Sequence, residues 1–328
     1  MSAPDPIEPL GVPGPRLPRQ EALGIAMYLI AAFMFALNGT VAKAQIEAGL
    51  TPGHVTEIRT AGSAVVVLVV VLLLRPASLK VTRAQIPFLI VFGVVSYALT
   101  PFLFFATIAL LPIAIGTLLA FLAPVWVALW LRFARHRPVR RSLWVAIGLV
   151  LVGLALVAQV WAGVTLDPLG LLFGLLVGIS LAVYLLLGEA GAGRRDVLSL
   201  AFWGFFVATV TWSIISPWWT FPWSTLTTTT TLFDGAVTGI PVWSLVIWMI
   251  ALTVVPFLLV LGSLQRIGAQ RGGIIGTTEP LWAALVGFIV LGETITPVQG
   301  LGGLVVLSGV ILAEISSQRT ARAGAPTR

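Results

Sequence analysis

The chain has 328 residues, of which 58% are hydrophobic and 9% are charged. Because soluble domains carry about 25% charged residues, this composition excludes a soluble fold and predicts an all-α integral membrane protein. The net charge of +7 does not indicate nucleic-acid binding, since the basic residues lie between the apolar runs, and the absence of cysteine excludes disulfides and cysteine-ligated metals.

The first segment, residues 1–20, holds six prolines and no apolar periodicity, so we expect a disordered tail. It is not a signal peptide, because no cleavage site follows and the next apolar run continues as a span. Ten apolar runs follow, most of them close to the length that crosses a hydrocarbon core of about 30 Å. The predicted spans are Ala22–Val41, Thr56–Leu74, Ile86–Phe105, Ile113–Phe133, Ser142–Trp161, Leu169–Gly188, Leu198–Ile215, Pro241–Leu261, Gly272–Leu291 and Val298–Ile315.

The basic residues alternate between the two ends of these spans. With a cytoplasmic N-terminus, all but Lys43 and Arg59 of the 19 basic residues fall on the cytoplasmic side, as the positive-inside rule requires. This distribution predicts a multi-pass protein of the cell (inner) membrane with both termini in the cytoplasm. The Trp- and Thr-rich loop Pro217–Ile240 is then outside, where an aromatic belt at the headgroups explains its tryptophans better than a lid does.

Two stretches of the chain share one register. Pro124 and Pro280, Trp126 and Trp282, and Gly153 and Gly309 are each 156 residues apart, which indicates an internal duplication. Five spans per copy is an odd number, so the copies must insert with opposite orientation, as inverted repeats do. We expect two five-helix repeats at residues 21–162 and 165–315, followed by a basic cytoplasmic tail at 316–328.

The helix around Pro280, the Gly292–Glu293 turn and the glycine-rich last span resemble the EamA domain of the drug/metabolite transporter superfamily. The run GTTEPLWAALVGFIVLGETIT is most similar to amino-acid exporters of the threonine/homoserine type. The resemblance covers both halves, but its motif is specific only in the second. The first half has Arg135–Pro138 where the second has Leu291–Thr294, so any role of the Gly-Glu turn is not duplicated.

The repeats and the charge distribution predict a secondary active transporter that works by alternating access, and not an enzyme. The resemblance alone implies that it exports small polar metabolites, amino acids among them. The alternative is a membrane-embedded transferase that acts on a lipid-linked substrate, but its clustered carboxylates or histidines are missing from the sequence. A channel would need rings of like residues, and none repeats here.

Glu279 is the strongest candidate for a functional residue. It lies in an apolar span directly before Pro280, where a charge costs about 3 kcal/mol on insertion scales, so it should face protein or a water-filled cavity. It could bind and release a proton during transport. It could equally be a structural group that caps the backbone freed by Pro280.

Arg59 is the second charged candidate, near the start of the second span. The EamA resemblance implies an arginine at this place, and its fork geometry suits a substrate carboxylate. The alternative is an interfacial anchor that extends to the headgroups. Glu57, two residues earlier, need not pair with it, because residues two apart on a helix do not face each other.

Several uncharged side chains complete the candidate set: Asn38, Tyr97, Thr100 and Tyr184 inside spans, and Trp126 and Trp282 after the paired prolines. They could line a central cavity, or they could serve helix association and packing. The expected partners are the bilayer and a small-molecule substrate, with protons and a second copy of the chain left open. No cofactor or metal is expected, because His54 and His136 cannot hold a metal alone.

Overall fold

The structure is a computed structural model. It describes residues 18–133, 141–158, 166–192, 196–232, 237–276, 278–292 and 294–323. The predicted N-terminal tail lies outside the described residues up to residue 17, and the first helix begins at Pro18. The helices are α1 (Pro18–Glu47), α2 (Pro52–Leu74), α3 (Ile86–Phe92), α4 (Thr100–Leu110), α5 (Ile113–Ala120), α6 (Ala123–Phe133), α7 (Arg141–Ala158), α8 (Pro168–Ala192), α9 (Val197–Ile215), α10 (Val242–Gly276), α11 (Glu279–Leu291) and α12 (Pro297–Ala323), and the strands are β1 (Thr229–Leu232) and β2 (Val237–Pro241).

Five described helical stretches are long and apolar enough to cross a membrane: Gln20–Glu47, Pro52–Leu74, Arg83–Leu110, Leu198–Ile215 and Val242–Val260. Shorter apolar helices cover Pro168–Tyr184, Leu281–Leu291 and Pro297–Leu312. The long stretches have apolar outward faces, as lipid contact requires: Leu73 is 78% exposed and Ile214 is 75% exposed. The chain is therefore a multi-pass membrane protein. Its last helix continues to Ala323, eight residues into the segment expected to be a tail.

Prolines interrupt two of the predicted spans at matching places. The span Ile113–Phe133 breaks at Phe121 and Leu122, between α5 and α6. The predicted span Gly272–Leu291 is divided in the same way, because α10 ends at Gly276 and α11 begins at Glu279. Helices α5 and α10 each end four residues before a proline, Pro124 or Pro280. A proline has no backbone N–H to donate to the carbonyl group four residues earlier, which explains both breaks.

Helices α7 and α12 pack closely through two glycines. A Cβ at Gly153 would lie 2.7 Å from the backbone nitrogen of Val306, and a Cβ at Gly309 would lie 2.8 Å from the carbonyl oxygen of Ala146. Later residues of one helix thus meet earlier residues of the other, so the two helices are antiparallel. Val306 also stands 156 residues after Val150, which is itself a neighbour of Gly309. The contact of Gly153 on α7 with Val306 on α12 is therefore repeated by Gly309 on α12 with Val150 on α7.

Helix α1 packs against the second half of the chain in two directions. Gly24 meets Ile267 and Asn38 binds Thr253, so the first part of α10 is antiparallel to α1. Phe33, however, contacts Trp282, with ring centroids 5.5 Å apart. The chain has therefore reversed its direction relative to α1 before it enters α11.

Helix α8 repeats this arrangement against the first half. Gly170 meets Leu111 and Ser180 binds Thr100, so α8 is antiparallel to α4. Gly178, further along α8, contacts the indole of Trp126 on α6. Helix α6 follows the turn at Leu111 and Pro112, which ends α4. Leu111 and Ile267 are 156 residues apart, as are Trp126 and Trp282. The first helix of each half thus makes the same set of contacts with the other half.

A connection that the structure describes at residues 217–232 and 237–241, here named the cover, joins α9 to α10 and closes one end of the helices. Phe221, 3% exposed, packs with Leu50 and Val55 at the α1–α2 turn, and its ring lies 5.3 Å from that of His54. The indole N–H of Trp218 donates to Ser213 at 2.8 Å. The cover is therefore a folded element with a β1–β2 hairpin, and not only the aromatic belt that the sequence predicts.

An ion pair joins α2 and α9 at the opposite end. The guanidinium of Arg75 donates to a carboxylate oxygen of Asp196 at 2.8 Å, and the hydroxyl of Ser199 donates to the carbonyl of Ser78. Because the arginine side chain is 65% exposed, this pair is worth at most about 1 kcal/mol.

Candidate functional site

A polar network joins three helices inside the protein. The side-chain amide of Asn38 on α1 donates to the hydroxyl of Thr253 on α10 at 2.9 Å, and to the carbonyl of Met249 at 3.2 Å. The same hydroxyl accepts a bond from Nε of Arg59 on α2 at 2.9 Å. Thr253, which the sequence analysis missed, is therefore the centre of the network. The repeat register could have found it, since Thr253 stands 156 residues after Tyr97.

The guanidinium of Arg59 points into the protein and not toward the helix end. It lies over the ring of Phe105 at 5.8 Å from the ring centroid, within the range of a cation–π contact. Its Nη1 atom is buried and has no hydrogen-bond partner among the described residues. A guanidinium presents five donors in a rigid fork that matches a carboxylate. The site thus holds a buried cation with donor capacity to spare.

A second group of predicted residues lies where α8 and α9 meet the third span. A π-helix at Gly93–Leu99 interrupts that span, and such interruptions are frequent at functional sites. It carries Tyr97, whose ring lies 4.7 Å from Phe205 and 6.5 Å from Tyr184. Gly204 permits this approach, because a Cβ there would lie 2.6 Å from the Tyr97 ring.

Thr100 follows the π-helix and bonds across to α8. Its hydroxyl lies 2.6 Å from that of Ser180 and donates to the carbonyl of Val95. The ring of Tyr97 also lies 6.4 Å, between centroids, from that of Phe257 on α10, one turn after Thr253. The structure therefore brings Asn38, Arg59, Tyr97, Thr100 and Tyr184 into one interior region, where helices of the two halves of the chain meet.

The two paired tryptophans occupy corresponding positions. Trp282 meets Phe33 on α1 and belongs to the same apolar cluster as Phe105. Trp126 lies against Gly178 on α8. Each indole N–H is buried and has no acceptor among the described residues. Since a buried indole N–H usually finds a partner, these two donors stand out as candidates for ligand contact.

Glu279 is the first residue of α11, directly after Thr278, and is partly exposed. Its place at the start of a helix, next to Pro280, leaves both the proton-binding and the capping interpretations as predictions. Among the described residues, no group of three or more His, Asp or Glu could hold a metal ion.

A polar and aromatic interior between two sets of packed, lipid-facing helices is the arrangement of a membrane transporter. The sequence model of the EamA-like transporter family matches residues 22–159 and 168–315. The chain therefore belongs to the EamA-like transporter family.

Named relatives agree with this class. The chain is 28% identical over 301 residues to the threonine/homoserine exporter RhtA of Escherichia coli K12, covering 92% of each protein. It is 29% identical over 304 residues to the uncharacterized transporter YwfM of Bacillus subtilis, covering 90% of this chain and 95% of the relative. A solved crystal structure, 14% identical, has a TM-score of 0.56 over 92% of this chain and 98% of its own, and so shares the fold.

Proposed function

We propose that the protein is a secondary active transporter that exports small amino acids, with threonine or homoserine as the first substrates to test. The substrate binds in the interior region around Arg59, and the protein exposes this region to one side of the membrane at a time. The observation that carries the proposal is the buried guanidinium of Arg59 with an unpartnered Nη1 atom among the described residues.

The proposed architecture is ten membrane-spanning helices in two inverted repeats, at residues 21–162 and 165–315. Two observations support it. The exchanged contacts of Gly153 and Gly309 are those of a two-fold relation between antiparallel helices. The family also matches the chain twice, over its first and second halves. Transporters built in this way bind substrate near the midplane, between the repeats.

The chemistry of the interior supports an amino-acid substrate. Arg59 offers a charge and spare donors to a carboxylate. Trp126 and Trp282 offer two further N–H donors, and the hydroxyls of Thr100 and Ser180 offer partners for a polar side chain. The relative in Escherichia coli is named as a threonine/homoserine exporter.

The distribution of basic residues supports the proposed orientation. Both termini are cytoplasmic, the protein lies in the cell inner membrane, and the cover faces outward. In export, the substrate enters from the cytoplasmic side. The Arg75–Asp196 pair joins α2 and α9 at this side in the present conformation.

The test is exchange of radiolabelled threonine in proteoliposomes loaded with unlabelled threonine. Arg59→Lys keeps the charge but loses the fork. Since a hydrogen bond to a charged group contributes about 1.5–3 kcal/mol, we expect its exchange rate to fall about 10- to 100-fold. Arg83→Lys is the matched control, because Arg83 is exposed, and it should exchange threonine at the wild-type rate.

A competition experiment isolates the carboxylate. Unlabelled threonine should inhibit exchange by the wild-type protein, and threoninol, which replaces the carboxylate with an alcohol, should not. Equal inhibition by the two compounds would refute the role of Arg59, even if the protein transports threonine.

A further inference from the structure

Glu57 is the most completely enclosed acidic side chain among the described residues. It has no exposed surface, and neither carboxylate oxygen has a hydrogen-bond partner within the described part of the chain. Ser216, at the end of α9, is the polar side chain that approaches it. Glu57 lies about 8 Å along α2 from Pro52, at 1.5 Å per residue, which is the end of the protein closed by the cover.

Among the described residues, no basic side chain at this end donates a hydrogen bond to the carboxyl group of Glu57. Lys43 on α1 donates to the carbonyl of Leu111, and Arg59 is turned about 200° around α2 toward Thr253. His54 and Glu47 complete the charged or titratable groups of the α1 and α2 ends. No acidic or basic side chain comes from α9, from the described part of the cover or from the first twenty-odd residues of α10.

An ionised carboxylate in a closed site, with the Ser216 hydroxyl as its polar neighbour and no basic group bonded to it among the described residues, costs several kcal/mol. The neutral acid costs much less. The cover maintains this closed site. Phe221 belongs to the same buried apolar cluster as Leu50 and Val55 of the α1–α2 turn. Its ring lies 5.3 Å from that of His54, which is three residues before Glu57 and so on the same face of α2. Phe221 therefore covers the face of α2 that carries Glu57, between Glu57 and this end of the protein.

We propose that Glu57 is a proton-binding residue of the transport cycle, and that the cover controls its access to the outside. In this conformation Glu57 holds a proton. The proton is exchanged with the external solution when the cover opens, and is given up on the other side when the two halves rearrange. This inference rests on the proposed transport function and adds a coupling ion to it.

Infrared spectroscopy tests the protonation directly and needs no substrate. The difference spectrum of wild type minus Glu57→Gln at neutral pH should contain the carbonyl band of a protonated carboxyl group. The matched control, Glu47→Gln, changes an exposed carboxylate at the same end and should show only ionised-carboxylate bands. An ionised-carboxylate difference for Glu57 would overturn the proposal.

Transport measurements test the coupling. We expect Glu57→Gln to keep exchange of radiolabelled threonine but to lose the acceleration of net flux by a pH gradient, while Glu57→Asp recovers it. Undiminished acceleration in Glu57→Gln would refute the coupling. If the wild type does not exchange threonine, the proposed substrate fails, and the infrared result still decides the protonation.

The role of the cover is tested with a single cysteine, because the natural chain has none. Glu57→Cys should resist an impermeant thiol reagent, and adding Phe221→Ala should raise its labelling rate at least tenfold. Trp219→Ala in place of Phe221→Ala is the control, since Trp219 is 85% exposed. Equal labelling with and without Phe221 would show that the cover does not control access.

Discussion

Replacement of Thr253 by valine tests the network at the centre of the site. Valine has nearly the same shape and the same branching at Cβ, so helix propensity and packing change little. The change removes the hydroxyl that accepts bonds from Asn38 and Arg59.

The hydroxyl's own bond to the carbonyl of Met249, one turn back on the same helix, is also lost. The two accepted bonds differ in energetic weight. Hydrogen bonds between uncharged groups of membrane helices average about 0.6 kcal/mol, and Asn38 keeps its second acceptor, the carbonyl of Met249. Arg59 instead keeps a buried, charged donor without a partner, which costs about 1–3 kcal/mol. We therefore expect Thr253→Val to lower the free energy of unfolding by about 2–3 kcal/mol, mostly through Arg59.

The assay is equilibrium unfolding of the detergent-solubilised protein, with Thr253→Ser as the control that keeps the hydroxyl. The serine variant should stay within about 1 kcal/mol of wild type. If the valine and serine variants unfold with the same free energy, the hydroxyl does not hold Arg59, and the argument for a preorganised cation is wrong.

Three further predictions follow from other parts of the structure. Glu279→Gln should fold normally, and if Glu279 binds protons, threonine transport should lose its pH dependence; wild-type pH dependence in this variant would end that role. A single cysteine at Thr227 should react with an impermeant thiol reagent in intact cells and one at Arg83 should not, whereas the reverse pattern would contradict the proposed topology. Gly309→Ala places a Cβ 2.8 Å from a carbonyl oxygen of α7 and should destabilise the protein by about 1–3 kcal/mol, measured by thermal unfolding. Gly300→Ala, which meets nothing within 4 Å, should be nearly neutral, and equal melting temperatures would disprove close α7–α12 packing.

The sequence predicts the class of protein and most of the interior residues for physical reasons. Polar residues inside apolar spans are costly in lipid, so Asn38 and Arg59 had to find protein partners, and both do. The shared register of Pro124 and Pro280 also predicts matching features in the two halves. The two helix breaks and the contacts of Trp126 and Trp282 occur at those matching places.

Other features depend on packing that periodicity does not reveal. Apolar composition alone makes Gly272–Leu291 one span, although Pro280 ends one helix and starts the next. Glu57 need not pair with Arg59, and the polar side chain that approaches it, Ser216, lies more than 150 residues away in the chain, so the sequence does not reveal its enclosure. The cover itself is Thr-rich, and its contact with the α1–α2 turn depends on the buried ring of Phe221, which periodicity does not reveal.

Efflux of radiolabelled threonine from proteoliposomes that contain the wild-type protein tests the central claim most directly. The account predicts efflux that saturates with threonine concentration and falls to the level of protein-free liposomes in Arg59→Ala. Wild-type efflux at the protein-free level, or efflux that rises linearly with concentration and is unchanged in Arg59→Ala, would contradict it.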